Sequence, residues 1–354
     1  MVQREHGRLL GWQRLWRSGL GLLHGLRGDW NRAAAEIAVA AEAAPDDALA
    51  WFLLGEFRSR QGEAGPAMEA YRQVLRLRPD LARAQAALGR VLLRAGQAQE
   101  AHRWLSRAVS SEPRVGAWWE DLGTAAAAIG LYPEALAHLT HAAALGQRSE
   151  SLSDLRALVL ARLGHYRDAA AGLRRAVLRT PRDPVMLNNL AFCLAGDGQL
   201  ENALHYYLRA IALAPADADL LLNLGSCLQG LGRHAEALEY LSRLLPGEPR
   251  PEVSLALARS YLALGDPAKA LHALAPALRL SPRAFDLINM KARALLDQGD
   301  RPRAEAYYRY LRRLAADRPE PLWGLGRCRD AAGKRDEAVQ LYNLAIDAEK
   351  RNTC

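Results

Sequence analysis

The chain repeats itself every 34 residues, and that period leaves few folds open to it. One copy carries Leu54, Gly55, Gly62, Ala67, Tyr71 and Pro79. A step of 34 reaches Leu88, Gly89, Gly96, Ala101, Leu105 and Pro113. Further steps reach Gly123, Gly130, Ala135 and Leu139, then Gly164, Ala169, Leu173 and Pro181. The frame continues through Ala191, Gly198, Ala203, Tyr207 and Pro215, then Gly225, Gly232, Ala237, Leu241 and Pro249. One residue is then missing, and the frame resumes at Ala258, Gly265, Ala270, Leu274 and Pro282. Ala292, Gly299, Ala304 and Tyr308 follow, then Gly326, Gly333, Ala338 and Tyr342. A step back from the start gives Gly21, Gly28, Ala33, Ile37 and Pro45.

Each recurring residue has a physical task. Leucines and alanines recur at helical spacing, which predicts two amphipathic helices per copy. The small residue at Gly21, Gly55, Gly89 and their equivalents lets those helices cross closely. The glycine ahead of the second helix, such as Gly62 or Gly198, suits the left-handed conformation that ends a helix. The alanine five residues later leaves room for the first helix. The closing proline, such as Pro79 or Pro215, stops the second helix. Acidic residues such as Asp336 and Glu337 suit the second helix's N-terminus. One hairpin cannot bury its own apolar face, so the copies are expected to stack into one continuous solenoid.

This small-residue, Gly, Ala, Tyr-or-Leu, Pro pattern resembles the tetratricopeptide repeat family. Ten units are expected, at residues 14–47, 48–81, 82–115, 116–149, 150–183, 184–217, 218–250, 251–284, 285–318 and 319–352. Residues 1–13 read as an amphipathic N-terminal extension, with Leu9, Trp12, Trp16 and Leu20 at helical spacing, covering the first unit; residues 353–354 are a tail. The polar face of the tenth unit (Arg335, Gln340, Asn343, Asp347) or a partner closes the other end. The departures are local. The first-helix Trp survives as Trp51 and Trp119, residues 116–149 end in Gly146-Gln147 without proline, and Pro319 sits three residues late. The resemblance implies an all-α, tetratricopeptide-type α-solenoid coiled as a right-handed superhelix, with the first helices lining a concave groove.

The net charge of +8 and pI near 9.5 fit nucleic acid, anionic membranes or acidic peptides as partners, but the charge is spread along the chain without a polybasic run. Four lysines stand against 43 arginines, a bias that reads as high-GC coding rather than phosphate chemistry. No apolar stretch approaches the ~18 residues of a transmembrane helix. The Arg-rich N-terminus lacks a secretory cleavage site. The expected location is cytoplasmic, with a mitochondrial address as the alternative.

The sequence offers little catalytic chemistry, and the expectation is a non-enzyme without cofactor or metal. Cys193, Cys227 and Cys328 share the tenth residue of their units, where other copies hold Leu23, Phe57, Val91 or Ala125; they read as core. No C-x-x-C pair occurs. His138 and His141 are close enough to share a metal, but no carboxylate or cysteine is read as completing the set within their unit, and His102 and the other histidines read as scattered. Glu120 and Asp121 are adjacent helical residues that point to different sides, which argues against an acid–base dyad. Every glycine is accounted for by the repeat, so no phosphate loop remains.

The family's concave face is drawn from the second, fifth, sixth, ninth, twelfth and thirteenth residues of each unit. Here those places give an N-terminal basic set, Arg60, Arg83, Arg90 and Arg94. The middle offers Glu120, Asp154, Asn188, Asn189 and Asn223. The C-terminal part offers Asn289, Arg259, Arg293 and Arg327, beside Asp297, Asp330 and Trp323. Asn189 and Asn223 share the sixth residue of successive units and resemble the asparagine ladder with which some family members grip a peptide backbone. Arg259, Arg293 and Arg327 share the ninth, a row that suits carboxylates or phosphates, or pairing with neighbouring acids. No unit carries the fifth-residue Lys of the chaperone-tail clamp. The expected function is a protein-interaction scaffold that binds an extended peptide or partner helix. RNA binding through the Arg rows is the first alternative, and a regulatory or targeting subunit of a multi-protein enzyme the second.

Overall fold

The computed structural model describes residues 17–245 and 247–352. The proposed extension at 1–13 and the tail at 353–354 lie outside the described residues. Within them there are helices and turns and no strand. The helices come in consecutive pairs. α1 (residues 17–26) precedes α2 (Trp30–Ala43), and then follow α3 (Ala48–Arg60) and α4 (Ala64–Leu77), α5 (Ala82–Arg94) and α6 (Ala98–Ser111), α7 (Gly116–Ala128) and α8 (Tyr132–Ala144), and α9 (Glu150–Arg162) and α10 (Tyr166–Arg179). The series continues with α11 (Pro184–Gly196) and α12 (Leu200–Leu213), α13 (Ala218–Gly230) and α14 (His234–Leu241), α15 (Pro251–Ala263) and α16 (Pro267–Leu280), α17 (Phe285–Asp297) and α18 (Arg301–Leu314), and α19 (Glu320–Asp330) and α20 (Arg335–Asn352). The fold is an all-α solenoid of helical hairpins. Among the described residues no helix is long and apolar enough to cross a membrane.

The turn chemistry follows the repeat. At the end of α3, Gly62 takes φ 80°, its N–H donates to Ser59, and the N–H of Glu63 donates to Arg58 O, closing a Schellman turn. The fourth unit, which lacks the closing proline, uses Gly146 at φ 87° to end α8 instead. After the proline of other units, an aspartate caps the next first helix: the Asp47, Asp183 and Asp217 side chains each accept backbone N–H groups of α3, α11 and α13.

Each hairpin closes on the small residue of its first helix. A methyl added at Gly55 would meet the Tyr71 ring at 2.7 Å, and one at Gly89 would meet Leu105 Cγ at 2.6 Å. Gly225 stands in the same relation to Leu241, and Gly326 to Tyr342. Helices that approach this closely bury their alanines completely: Ala67, Ala101, Ala135 and Ala237 are all at 0% exposure. Gly324, two residues before the small position in α19, makes a second such contact, against Tyr308 of the preceding hairpin.

The seventh hairpin differs. With one residue missing, α14 is eight residues long and gives way to a 3-10 turn at Ser242–Leu244.

The chain divides into two compact units, Met1–Ala176 and Val177–Cys354. In the first, one core runs from Ala67 through Tyr71, Leu88, Leu92 and Leu105 to Leu122 and Ala125. In the second, α15 to α17 share Ala258, Leu274, Leu287 and Ala294, and Ile288, Tyr308, Leu311, Leu325 and Cys328 form a further cluster. In each unit the first helices of successive hairpins touch: α3 with α5, α5 with α7 and α7 with α9, then α11 with α13, α13 with α15, α15 with α17 and α17 with α19. Second helices pack on their own hairpin and on the next first helix. The first helices therefore form the inner layer of each stack.

Candidate functional site

In the first unit, the inner layer collects charge around a buried tyrosine. The Tyr71 hydroxyl donates to Glu56 at 2.7 Å, and burial first, then Glu56, pushes its ionisation well above the usual tyrosine range while Arg90 and Arg94 pull the other way. Arg90 Nε reaches Asp121 at 3.2 Å, and Arg94 reaches the Ser59 hydroxyl at 3.5 Å. Arg60 lies over the Trp30 ring, 4.6 Å from its centre. Arg83 is exposed on α5. Three of the four arginines are thus held by different neighbours, acid, hydroxyl and ring, and Arg83 is exposed, rather than all four being gathered into one basic cluster.

Glu120 and Asp121 turn to different partners. Glu120 accepts from Gln147 at 2.8 Å, from Ser149 at 2.7 Å and from Ser151. Burial pushes its carboxyl up, but these three donors outweigh that and hold it below the usual glutamate value. Asp121 is the reverse: burial raises it, the charge of Glu120 adds to the rise, and Arg90 only partly offsets them. No shared proton site results.

Histidines gather on the second helices of the third and fourth hairpins. His102 on α6 and His138 on α8 have ring centres 6.5 Å apart, and Trp119 of α7 lies 5.4 Å from His138 and 4.5 Å from His141. Burial, then the nearby His102, lowers the His138 pKa, with Glu134 opposing. The expected absence of a carboxylate for this set does not hold. Glu134, one turn before His138 in the same unit, is that carboxylate, and its i, i+4 spacing was readable; the contribution of His102 from the preceding copy was not.

In the second unit, α11 and α13 bring three amides together. Asn223 Nδ2 donates to Asn188 Oδ1 at 3.1 Å, so the bonded pair joins a sixth residue to a fifth rather than two sixths. Among the described residues Asn189 and Asn289 have no side-chain hydrogen bond, and both are half-buried. The ninth-residue arginines are exposed and each finds a neighbour. Arg327 reaches Asp297 at 2.8 Å, Arg293 reaches the same carboxylate at 3.8 Å, and Arg259 reaches Gln229 at 3.4 Å. Gln229 is itself buried and donates to Ser260 at 2.6 Å and to the Ala256 carbonyl. The Tyr342 hydroxyl donates to Asp330 at 2.7 Å, and burial followed by that bond pushes its pKa up to about 12. Trp323 donates to Glu349 at 2.9 Å.

The three cysteines at the tenth place are buried and unoxidised, as core residues. Burial pushes the thiols of Cys193 and Cys328 up to about 11. A thiolate nucleophile at neutral pH is not available from them.

Hairpins stacked through their first helices, with polar side chains along that layer, define a helical-repeat scaffold. The family model described as "Cilia and flagella-associated protein 70 C-terminal domain" matches residues 22–248, and the model described as "Tetratricopeptide repeat" matches residues 255–287 and 289–352. The chain belongs to the tetratricopeptide repeat family and, over its larger part, to the family of the first description. No curated protein sequence matches the chain significantly. Among solved structures it is similar to a chain of the APC/C hetero-tetramer Cut9-Hcn1 (22% identity, TM-score 0.53), covering 75% of this chain and 52% of that one. It spans about half the length of that neighbour. It is also similar to YrrB, titled "a TPR protein with an unusual peptide-binding site" (21% identity, TM-score 0.43, 58% of this chain and 98% of that one). A third similarity is to MamA from Desulfovibrio magneticus RS-1 (24% identity, TM-score 0.43, 47% and 93%).

Proposed function

We propose that the chain is a protein-interaction scaffold whose inner first-helix layer holds an extended peptide or a partner helix. The tetratricopeptide repeat fold is typically a non-catalytic scaffold, which supports the general reading. The finer one is carried by the amides on α11 and α13. Asn188, Asn189 and Asn223 lie on touching first helices, half-buried, with the Asn189 amide unpartnered. An amide offers an acceptor oxygen and two N–H donors, which together match the N–H and C=O of a peptide bond.

The arginines favour protein over RNA. Arg90, Arg293 and Arg327 are already engaged by Asp121 and Asp297, which lowers the positive field that a nucleic-acid groove needs. The test is capture from lysate with the wild-type chain and with the Asn189→Ala, Asn223→Ala pair, after circular dichroism has established equal helicity. The expected result is loss of recurrent protein partners in the double variant. Partners retained at full yield would remove the amides from the account. A nucleic-acid absorbance signature that RNase abolishes and moderate salt weakens would replace the scaffold reading with RNA binding.

A further inference from the structure

The outer side of the third and fourth hairpins holds a constellation that the scaffold reading does not use. His102 on α6 and Glu134 and His138 on α8 each offer one donor atom, and these three atoms all lie within 4.8 Å of one another. Glu134 and His138 are four apart on one helix, so both side chains leave the same face. His102 comes from the second helix of the preceding hairpin. Between α6 and α8 runs α7, which packs on both and carries Trp119 against His138.

A second observation comes from His102 itself. Its Nε2 atom is shut off from solvent and has no hydrogen-bond partner among the described residues. A buried imidazole nitrogen is ordinarily satisfied, and one left bare costs on the order of the desolvation of a polar group. The donor atoms that share the cluster with His102 are one imidazole nitrogen, of His138, and one carboxylate oxygen, of Glu134, and a cation set among the three would give each lone pair an acceptor.

We propose that His102, Glu134 and His138 form a binding site for a divalent cation of the zinc class. Two imidazole nitrogens and one carboxylate oxygen are the donor set of borderline first-row metals rather than of magnesium or calcium, which prefer oxygen. Bonds of about 2.0–2.2 Å draw such ligand atoms to ~3.5 Å apart. The exposed Glu134 side chain can supply most of that closure, because it is free to change rotamer. Three protein ligands leave a coordination position for solvent or for a side chain of a bound partner. The cation would clip α6 to α8, two outer helices held together otherwise through α7, and so stiffen the stacking of the third hairpin on the fourth.

The test is a Zn2+ titration of the full-length chain by calorimetry after chelator treatment, with Co2+ visible absorbance as a reading of ligand type. The expected result is one site per chain assigned to this cluster, and a melting temperature that rises with added Zn2+. Glu134→Gln touches an exposed residue and leaves the fold intact. It is expected to weaken the site by more than the ~10–100-fold that follows loss of an outer-shell partner. His102→Gln and His138→Gln are expected to do the same, with helicity checked for each. His205→Ala, an exposed histidine in the other unit, leaves binding unchanged. No Zn2+ binding to the wild-type chain would overturn the proposal. So would binding that survives Glu134→Gln and His102→Gln with the same affinity and the same Co2+ spectrum.

Discussion

The close approach of the two helices in each hairpin predicts an unusual energetic coupling, which the third hairpin illustrates. Gly89 is buried in α5, and a Cβ built on it would stand 2.6 Å from Leu105 Cγ and 3.1 and 3.3 Å from its two methyl carbons. Gly89→Ala therefore has two opposed effects. It improves helix propensity by about 1 kcal/mol. It also overpacks the crossing, at about 1–3 kcal/mol. The net is a destabilisation of up to ~2 kcal/mol. Ala157, Ala191, Ala258 and Ala292 occupy the same place in other hairpins, so a slightly wider crossing accepts the methyl, and the lower part of that range applies. Leu105 is fully buried, and Leu105→Ala costs about 2–5 kcal/mol through lost contacts and a cavity. Combined, the added methyl occupies part of the cavity. The double variant should be less destabilised than the sum of the singles by roughly 0.5–2 kcal/mol. Stacked repeats need not unfold in one step, so the readout is local: amide hydrogen exchange across α5 and α6, compared among the four proteins of the cycle. Gly65→Ala, where an added Cβ meets nothing within 4 Å, is the control and should be neutral or slightly stabilising. Strict additivity, or a Gly89→Ala that gains the whole helix-propensity term, would refute the idea that the crossing has no room for a methyl.

Two further outcomes follow from titrating groups. Glu120 is held below its unfolded value, so the unfolded chain takes up the proton first; its stabilisation is present above the ordinary glutamate range and is lost as pH falls through the depressed folded value. Urea midpoints measured between about pH 3 and 6 should therefore fall more steeply with acid for the wild type than for Glu120→Gln, and equal slopes would contradict the three-donor cradle. Asp121 is shifted the other way, so the difference between the two proteins, not the wild-type curve alone, carries the information. In a Cys354→Ser background, the buried thiols of Cys193, Cys227 and Cys328 should react with a disulfide reagent at neutral pH only as fast as their hairpins open; rapid reaction of the folded chain would mean they are less enclosed than their core positions imply.

What the sequence made legible was the content of a single copy. The contacts that close a hairpin join positions a fixed distance apart within the repeat, as Gly55 to Tyr71, Gly89 to Leu105 and Gly326 to Tyr342 do. Each copy repeats the same demand for a small residue opposite a large one, and ten copies make the pattern unmistakable. The tenth-place cysteines were readable for the same reason, since Val91 and Ala125 at that place already mark it as core. The seventh copy shows the limit: the deletion is visible in the frame, but whether the chain absorbs it by shortening α14 or by tightening its last turn depends on local backbone geometry, and it does both.

Partners across copies obey a different rule, and the candidate sites are built from them. Arg327 and Arg259 fill the same slot, yet the first reaches Asp297 and the second Gln229, each 30 residues back. Asn223 bonds Asn188, 35 residues back, where identical slots pointed to Asn189. Arg90 reaches forward 31 residues to Asp121. All of these separations scatter about one repeat length, so the period names the neighbouring copy but not the side chain within it. That choice is set by the angle between successive hairpins and by side-chain length, which a one-copy pattern does not encode. The histidine cluster follows from the same geometry. His102 is an unremarkable second-helix residue in its own copy and becomes a ligand candidate only where α8 brings Glu134 and His138 alongside it. In a stacked-hairpin protein the repeat builds the frame, and the chemistry forms at the seams between copies, where each copy is free to differ.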